Sequence, residues 1–198
     1  AGTHGKTTTT AMTAWVLREL GRDPSFIIGG VMNNLGVNAH AGKGNLFVIE
    51  ADEYDTAFFD KRSKFVHYRP QVAVLNNLEF DHADIFPDLA AIETQFHHLV
   101  RMMARHAFIV MPAQELAGQA LERVIARGCW SQLERFGDAA KGLWVAGSQA
   151  IDGGQIIQLH DANRKIGAFK LALSGAFNRN NCLAALTAAR CLGLEPEQ

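Results

Sequence analysis

The stretch AGTHGKTTTT constrains this chain more than any other, because it commits a glycine-rich turn to be followed at once by a helix. Gly2, Gly5, Lys6, Thr7 and Thr8 have the spacing of the latter part of a P-loop, whose usual form is a strand, a glycine-rich turn and a helix. Such a turn works because its backbone N–H groups and the helix N-terminus surround phosphate oxygens, while the lysine adds a point charge and the next hydroxyl binds magnesium. The residues therefore predict that Gly2 and Gly5 let the backbone approach a phosphate. Lys6 would reach the β/γ-phosphates, and Thr7 or Thr8 would hold Mg²⁺.

The rest of the chain supplies the elements such a loop needs. Residues 7–20 carry good helix formers with apolar side chains at Met12, Val16, Leu17 and Leu20, and Gly21 is a stop signal. Short apolar runs at 25–31, 46–51 and 72–77 read as strands, the second and third apolar enough to be buried on both faces. Helical spacing from Leu89 to Met103 precedes a strand-like run at 107–112, and strand, helix, strand argues for a parallel sheet. A further helix covers 114–128, and an alanine-rich helix covers Arg179 to Leu194. Between them, 143–147, 154–160 and 165–173 are short strands punctuated by turn residues. The fold expected is α/β, with a P-loop-type, mostly parallel sheet flanked by helices and a small antiparallel β portion at about 140–175.

A chain of 198 residues is long enough to bury one main core without staples. With 48% hydrophobic residues and a net charge of -1, it has no general attraction for nucleic acid or membrane, so an anionic ligand must be held locally. Cys129, Cys182 and Cys191 are far apart and form no CxxC pair, which fits neither a disulfide framework nor a zinc ribbon and suits a reducing cytoplasm.

Two acidic segments follow predicted strands. In VIEADEYD, Glu50 ends the strand and Asp52, Glu53 and Asp55 follow closely. Ligands of open α/β sheets bind at the carboxyl ends of strands, where an acidic ligand for a Mg-nucleotide belongs, and Glu50 is the nearest candidate. In LNNLEFDH, Asn77, Glu79, Asp81 and His82 follow the next strand, and the imidazole of His82 is suited to a divalent cation on the same rim. The histidines at 67, 97, 98, 106 and 160 are read as structural.

Taken in this order, P-loop, strand-Glu and strand-Asn…Asp-His, the sequence resembles the central, ATP-binding domain of the Mur ligases, from Gly2 to about Gly193. GTHGKTTT and NLEFDH resemble the branch acting on UDP-N-acetylmuramate. EADEYDTAFFDKRSKFVHY and LNNLEFDHADIF…FHHLVR resemble those members that attach a recycled muropeptide, L-alanyl-γ-D-glutamyl-meso-diaminopimelate. The resemblance implies an ADP-forming amide ligase that uses ATP and Mg²⁺ and passes through an acyl phosphate. It implies three domains, with an N-terminal UDP-binding domain and a C-terminal domain lying outside this chain, and a buried strand leading into the P-loop. It also assigns residues. Gly2, Thr3, His4, Gly5, Lys6, Thr7 and Thr8 hold the phosphates, Thr7 and Glu50 one Mg²⁺, and His82 the second. Lys6 and His82 are the catalytic pair, and Asn178 and Asn181 form the adenine pocket. An L-alanine ligase and a non-catalytic P-loop module are the competing readings.

Two departures stand out. Many members carry a carbamylated lysine after the histidine, but no lysine lies between Lys64 and Lys141, and Phe96 fills that position. The adenine motif G-x-H-N-x-x-N reads GAFNRNN, with Phe177 in place of histidine. For substrate contacts, Lys61 and Arg62 in DKRSK suit a carboxylate or phosphate. Asn38 and His40, in the segment 29–42, are further candidates for the muramate side.

Overall fold

The computed structural model describes residues 1–80, 86–140 and 142–195, with the side chains of residues 114–117 outside that description. In chain order the elements are α1 (Lys6–Glu19), β1 (Ser25–Met32), β2 (Val37–His40), β3 (Phe47–Ile49), β4 (Asp55–Ala57), β5 (Asp60–Ser63), a 3-10 turn (Lys64–His67), β6 (Val72–Val74), α2 (Leu89–Met102), β7 (Phe108–Pro112), α3 (Gln114–Ala126), β8 (Gln132–Phe136), β9 (Leu143–Ile151), β10 (Gly154–Asp161), β11 (Arg164–Leu171) and α4 (Ala176–Cys191). They fall into two compact units, one of Ala1–His4 with Ala51–Glu134, the other of Gly5–Glu50 with Arg135–Gln198.

In the first unit β6 and β7 pair in parallel, Val72 opposite Phe108 and Val74 opposite Val110, within a sheet ordered β6-β7-β8. The core beside it takes Ile92, Phe96, Leu99 and Val100 from α2 and Leu121 and Val124 from α3, packed with Leu75, Ile109 and Met111. Helix α2 starts where Asp88 Oδ1 accepts the Ala91 N–H at 2.8 Å, an N-cap that satisfies one of the four unpaired donors of the first turn. Its one buried acid, Glu93, is met by Arg123 and Arg127, which donate to its two oxygens at 2.9 Å each.

In the second unit β1 pairs in parallel with β3 and antiparallel with β2. Ala14 of α1 packs on Phe26, Ile28 and Met32, the inward alternation of β1. Leu17 packs with Ala189 and Leu194, while Thr9, two turns earlier, meets Asn181, so α1 and α4 run side by side in the same direction. Their N-termini therefore lie at one end. The antiparallel sheet β9-β10-β11 sits where the small β portion was expected. Its buried Gln155 donates to the carbonyls of Leu173 and Gly175 and accepts from Arg179, which anchors the start of α4.

The fold class is as expected, with parallel pairing found in two three-stranded sheets, the second of which also holds the antiparallel edge β2. Details of single elements differ. The runs at 46–51 and 72–77 yield strands of only three residues, and Phe47 is 58% exposed, so β3 is not buried on both faces. The strands β2, β4, β5 and β8 have three to five residues each, too few to show a period in the sequence. Helix α4 begins at Ala176, three residues before the expected start, because Gly175 at φ 90° caps it.

Candidate functional site

The first half of the glycine loop is held by the segment that follows β6. Asn76 N–H donates to the Ala1 carbonyl at 3.1 Å, continuing the strand-like pairing past Val74. The Thr3 hydroxyl accepts from the Glu79 N–H at 2.9 Å and donates to the Glu79 carbonyl at 3.2 Å. Asn77 closes on the next peptide: its Oδ1 accepts from the His4 N–H at 2.7 Å and its Nδ2 donates to the His4 carbonyl at 3.1 Å. Gly2 has φ 142°, and a Cβ there would stand 3.0 Å from the Asn77 carbonyl, so both conformation and space demand glycine. The imidazole of His4 is exposed and 3.7 Å from a Glu79 oxygen.

In the second unit Gly5, at φ 78°, is the N-cap of α1. Its carbonyl accepts the Thr9 N–H at 2.9 Å, so Lys6, Thr7 and Thr8 form the first turn. No side-chain cap and no acid of its own first turn offset the partial positive end of this 14-residue helix. That is the electrostatic condition for receiving a phosphate.

The carboxylate of Glu50 is fixed at the same helix start. Thr7 Oγ1 donates to Glu50 Oε1 at 2.9 Å, and the Gly29 N–H donates to Oε2 at 2.7 Å. A Cβ on Gly29 would come within 2.9 Å of Oε2, and one on Gly30 within 3.2 Å of Thr7 Cγ2. The paired glycines of β1 thus make the space that Thr7 and Glu50 share. Hydroxyl and carboxylate oxygens are the hard ligands Mg²⁺ takes, and Mg²⁺ is commonly held by one or two of them with phosphate and water completing the octahedron. The donor set fits that ion. Among the described residues there is no cluster of three His, Cys, Asp or Glu side chains able to form a larger metal cage.

The other candidates are distributed differently. His82, with Asp81, lies outside the described residues. Asn178 donates its Nδ2 to the Ser174 carbonyl at 2.8 Å and is half-buried on the first turn of α4. Asn181 is turned inward, its Oδ1 accepting from the Thr9 hydroxyl at 3.1 Å. Phe177, at the motif's histidine position, is 81% exposed. Phe96 is fully buried and packs edge-on to Phe65 with ring centroids 5.4 Å apart, so this position offers a hydrocarbon core in place of a charge.

Asn38 is exposed on β2. His40 contacts Asp23 Oδ1 at 3.2 Å; that carboxyl is held below its usual range first by the Lys43 backbone N–H and then by His40. Lys61 donates to Asp55 at 2.8 Å, and Arg62 forms a fork on Asp60, both bonds 2.8 Å. Arg62 holds the Asp60 carboxyl well below its usual range, helped by His67. Both cations are thus paired within the β4–β5 hairpin. Sequence reasoning named Asn77 in its motif without a role and put Gly29 and Gly30 only in the segment 29–42 offered to the muramate side; a double glycine inside a strand pattern is the signal for close approach that could have found the latter two.

A glycine loop running into a helix, with a strand-end carboxylate bound to the first-turn threonine, defines a P-loop-type α/β domain. The chain belongs to the Mur ligase family: the Mur ligase middle domain matches residues 1–189. It is 50% identical over 196 residues to the UDP-N-acetylmuramate–L-alanyl-γ-D-glutamyl-meso-2,6-diaminoheptandioate ligase of Escherichia coli (strain K12), covering 99% of this chain and 42% of that protein. The crystal structure of the UDP-N-acetylmuramate:L-alanyl-γ-D-glutamyl-meso-diaminopimelate ligase from Neisseria meningitides superimposes with a TM-score of 0.87 at 48% identity, covering 98% of this chain and 60% of that one. The UDP-N-acetylmuramate–L-alanine ligase of Renibacterium salmoninarum is 38% identical over 200 residues, covering 100% of this chain and 41% of that protein. The chain thus spans under half the length of the curated relatives it matches.

Proposed function

We propose that this chain is the ATP-binding part of an ADP-forming amide ligase that joins L-alanyl-γ-D-glutamyl-meso-diaminopimelate to UDP-N-acetylmuramate. The observation that carries the nucleotide site is the Glu50 carboxylate, held by Thr7 and Gly29 at the N-terminus of α1. The choice of peptide rests on the 50% identity to the Escherichia coli ligase, against 38% to the alanine ligase of Renibacterium salmoninarum.

The roles follow from charge. A carboxylate is a poor acceptor because it is anionic and has no leaving group. Transfer of the ATP γ-phosphoryl to the muramate carboxylate gives an acyl phosphate and ADP; the amine then displaces inorganic phosphate to leave the amide. Two anions must meet in the first step, so cations have to lie between them. The backbone from Gly2 to Thr8 and the Lys6 ammonium hold the β- and γ-phosphates, with Thr7 and Glu50 as ligands of one Mg²⁺ and His82 of a second. Bound Mg²⁺ supplies charge neutralisation for phosphoryl transfer. Asn178, on the first turn of α4, would meet the adenine. The reaction needs ATP, which sets it in the bacterial cytoplasm.

The test uses the full-length enzyme offered the tripeptide and free L-alanine in competition. Tripeptide product is expected; preference for alanine would sink the peptide assignment while leaving the ligase class. In the same assay His82→Ala is expected to abolish turnover with little change in ATP affinity, and unchanged turnover would remove His82 from the metal site.

A further inference from the structure

We propose that Asn77 is a positioning residue: by holding both ends of the His4 backbone, it turns the His4–Gly5 peptide so that the Gly5 N–H faces the phosphates of the nucleotide. The inference rests on the nucleotide-site reading above and concerns a residue which that reading leaves without a task.

Asn77 stands where the strand-like pairing of the glycine loop changes from main chain to side chain. Up to His4 the partners are backbone groups: the Asn76 N–H donates to the Ala1 carbonyl at 3.1 Å, and the Thr3 N–H to the Asn77 carbonyl at 3.2 Å. At His4 the Asn77 amide takes over. Its Oδ1 accepts from the His4 N–H at 2.7 Å and its Nδ2 donates to the His4 carbonyl at 3.1 Å. This is the double exchange by which one residue of an antiparallel pair holds its opposite, made here by a side chain. Only one orientation of the amide satisfies both groups, because it must present an acceptor to the N–H and a donor to the carbonyl. Asn77 is itself anchored, half-buried between Asn76 and Leu78, which are 8% and 6% exposed, with Leu78 in the core of the same unit.

The consequence follows from the planarity of the peptide. Across a trans peptide the C=O and the N–H point in opposite directions. With the His4 carbonyl turned to Asn77, the Gly5 N–H points away from it, and the left-handed φ of 78° at Gly5 then leads the chain into α1. A peptide free to turn over would offer the phosphates a carbonyl oxygen, which repels an anion where a donor is wanted. Asn77 removes that alternative before the ligand arrives, and donors that need not reorganise on binding keep their full advantage.

The peptide is its own probe, since the step His-Gly occurs once in the 198 residues. Full-length enzyme carrying carbonyl-¹³C histidine and ¹⁵N glycine gives one NMR signal for the His4–Gly5 peptide, identified as the signal absent from His4→Gln. Mg-tripolyphosphate, which has the phosphates without base or sugar, is expected to move the wild-type Gly5 amide proton downfield as it bonds a phosphate oxygen. In Asn77→Ala the His4 carbonyl is expected to lose its hydrogen-bond shift before any ligand is added, and the Gly5 response to tripolyphosphate to shrink. Affinities for Mg-ATP and Mg-tripolyphosphate are expected to fall together by about five- to tenfold, the scale of one lost hydrogen bond, with the KM for UDP-N-acetylmuramate unchanged. Asn77→Ser, too short to span both His4 groups, is expected to behave alike and decides the matter should Asn77→Ala fail to fold. A role confined to stability would lower Tm and leave both phosphate affinities unmoved; that result, or a change confined to the KM for UDP-N-acetylmuramate, overturns the proposal. So does wild-type enzyme that binds tripolyphosphate without moving the Gly5 signal. A wild-type enzyme that bound neither ATP nor tripolyphosphate would overturn the nucleotide site itself.

Discussion

At the scale of single residues, this chain places glycine where a functional side chain needs room. Gly29 is the clearest case, because its φ is unexceptional and only space forbids a methyl group: a Cβ would stand 2.9 to 3.2 Å from all three atoms of the Glu50 carboxyl group. Gly29→Ala should therefore fold normally and displace the carboxylate. Titration of nucleotide binding against Mg²⁺ is expected to show an apparent metal affinity lower by about tenfold, the usual scale for disturbing a partner of a metal ligand. Cys182 illustrates the opposite case, a reactive atom made inert. Burial penalises the thiolate and pushes the thiol up to about 12, well above the ordinary value for cysteine. At pH 8 the thiolate fraction is thus negligible in the folded chain. Iodoacetamide should label the half-buried Cys129 and Cys191 first and reach Cys182 only after denaturant is added, as peptide mass mapping over time would show.

At the scale of elements, α2 and α3 depend on a charge arrangement that costs stability when half removed. Glu93 is 3% exposed, and Arg123 of α3 and Arg127 at its C-cap reach it while keeping their own guanidinium groups partly in water. Replacing one arginine by alanine leaves the other in place. Replacing both leaves a buried carboxylate without a counter-ion, and urea unfolding is expected to show a loss of about 3–5 kcal/mol, far more than either single change. Helices such as these were legible because apolar residues recur at helical spacing and a glycine marks the end of the run at 114–128. The strands β2, β4 and β5 were not, since each has only three or four residues and β2 is exposed along its whole length, while period-two patterning needs a longer run with one face buried.

At the scale of the whole molecule, the chain spans 42% of the Escherichia coli ligase it resembles, and the proposed reaction needs a UDP-linked acceptor and an amine, each expected to be held by a domain outside this chain. The isolated 198-residue chain is therefore expected to bind nucleotide weakly and to form no amide, with full activity in the full-length protein. Amide synthesis by the chain alone would contradict this. Lys61 and Arg62 bear on the same question. As bare sequence they suit an anionic substrate, yet each is already neutralised by an acid of its own hairpin, Asp55 and Asp60.

The class of fold, the family and the loop that opens α1 could all be read from the amino-acid order, because a P-loop is local: a glycine turn, a lysine and a threonine do their work within one contiguous segment. Glu50 came forward in the same way, since a strand end is a local signal. The long-range partners could be assigned only in the folded chain. The pairing of Thr7 with Glu50 spans 43 positions and that of Thr9 with Asn181 spans 172, and neither distance leaves a trace in local pattern. Asn178 and Asn181 look equivalent in the motif GAFNRNN. Burial separates them: one amide stands half in solvent, and the other is packed behind Gly5, where the loop takes its shape.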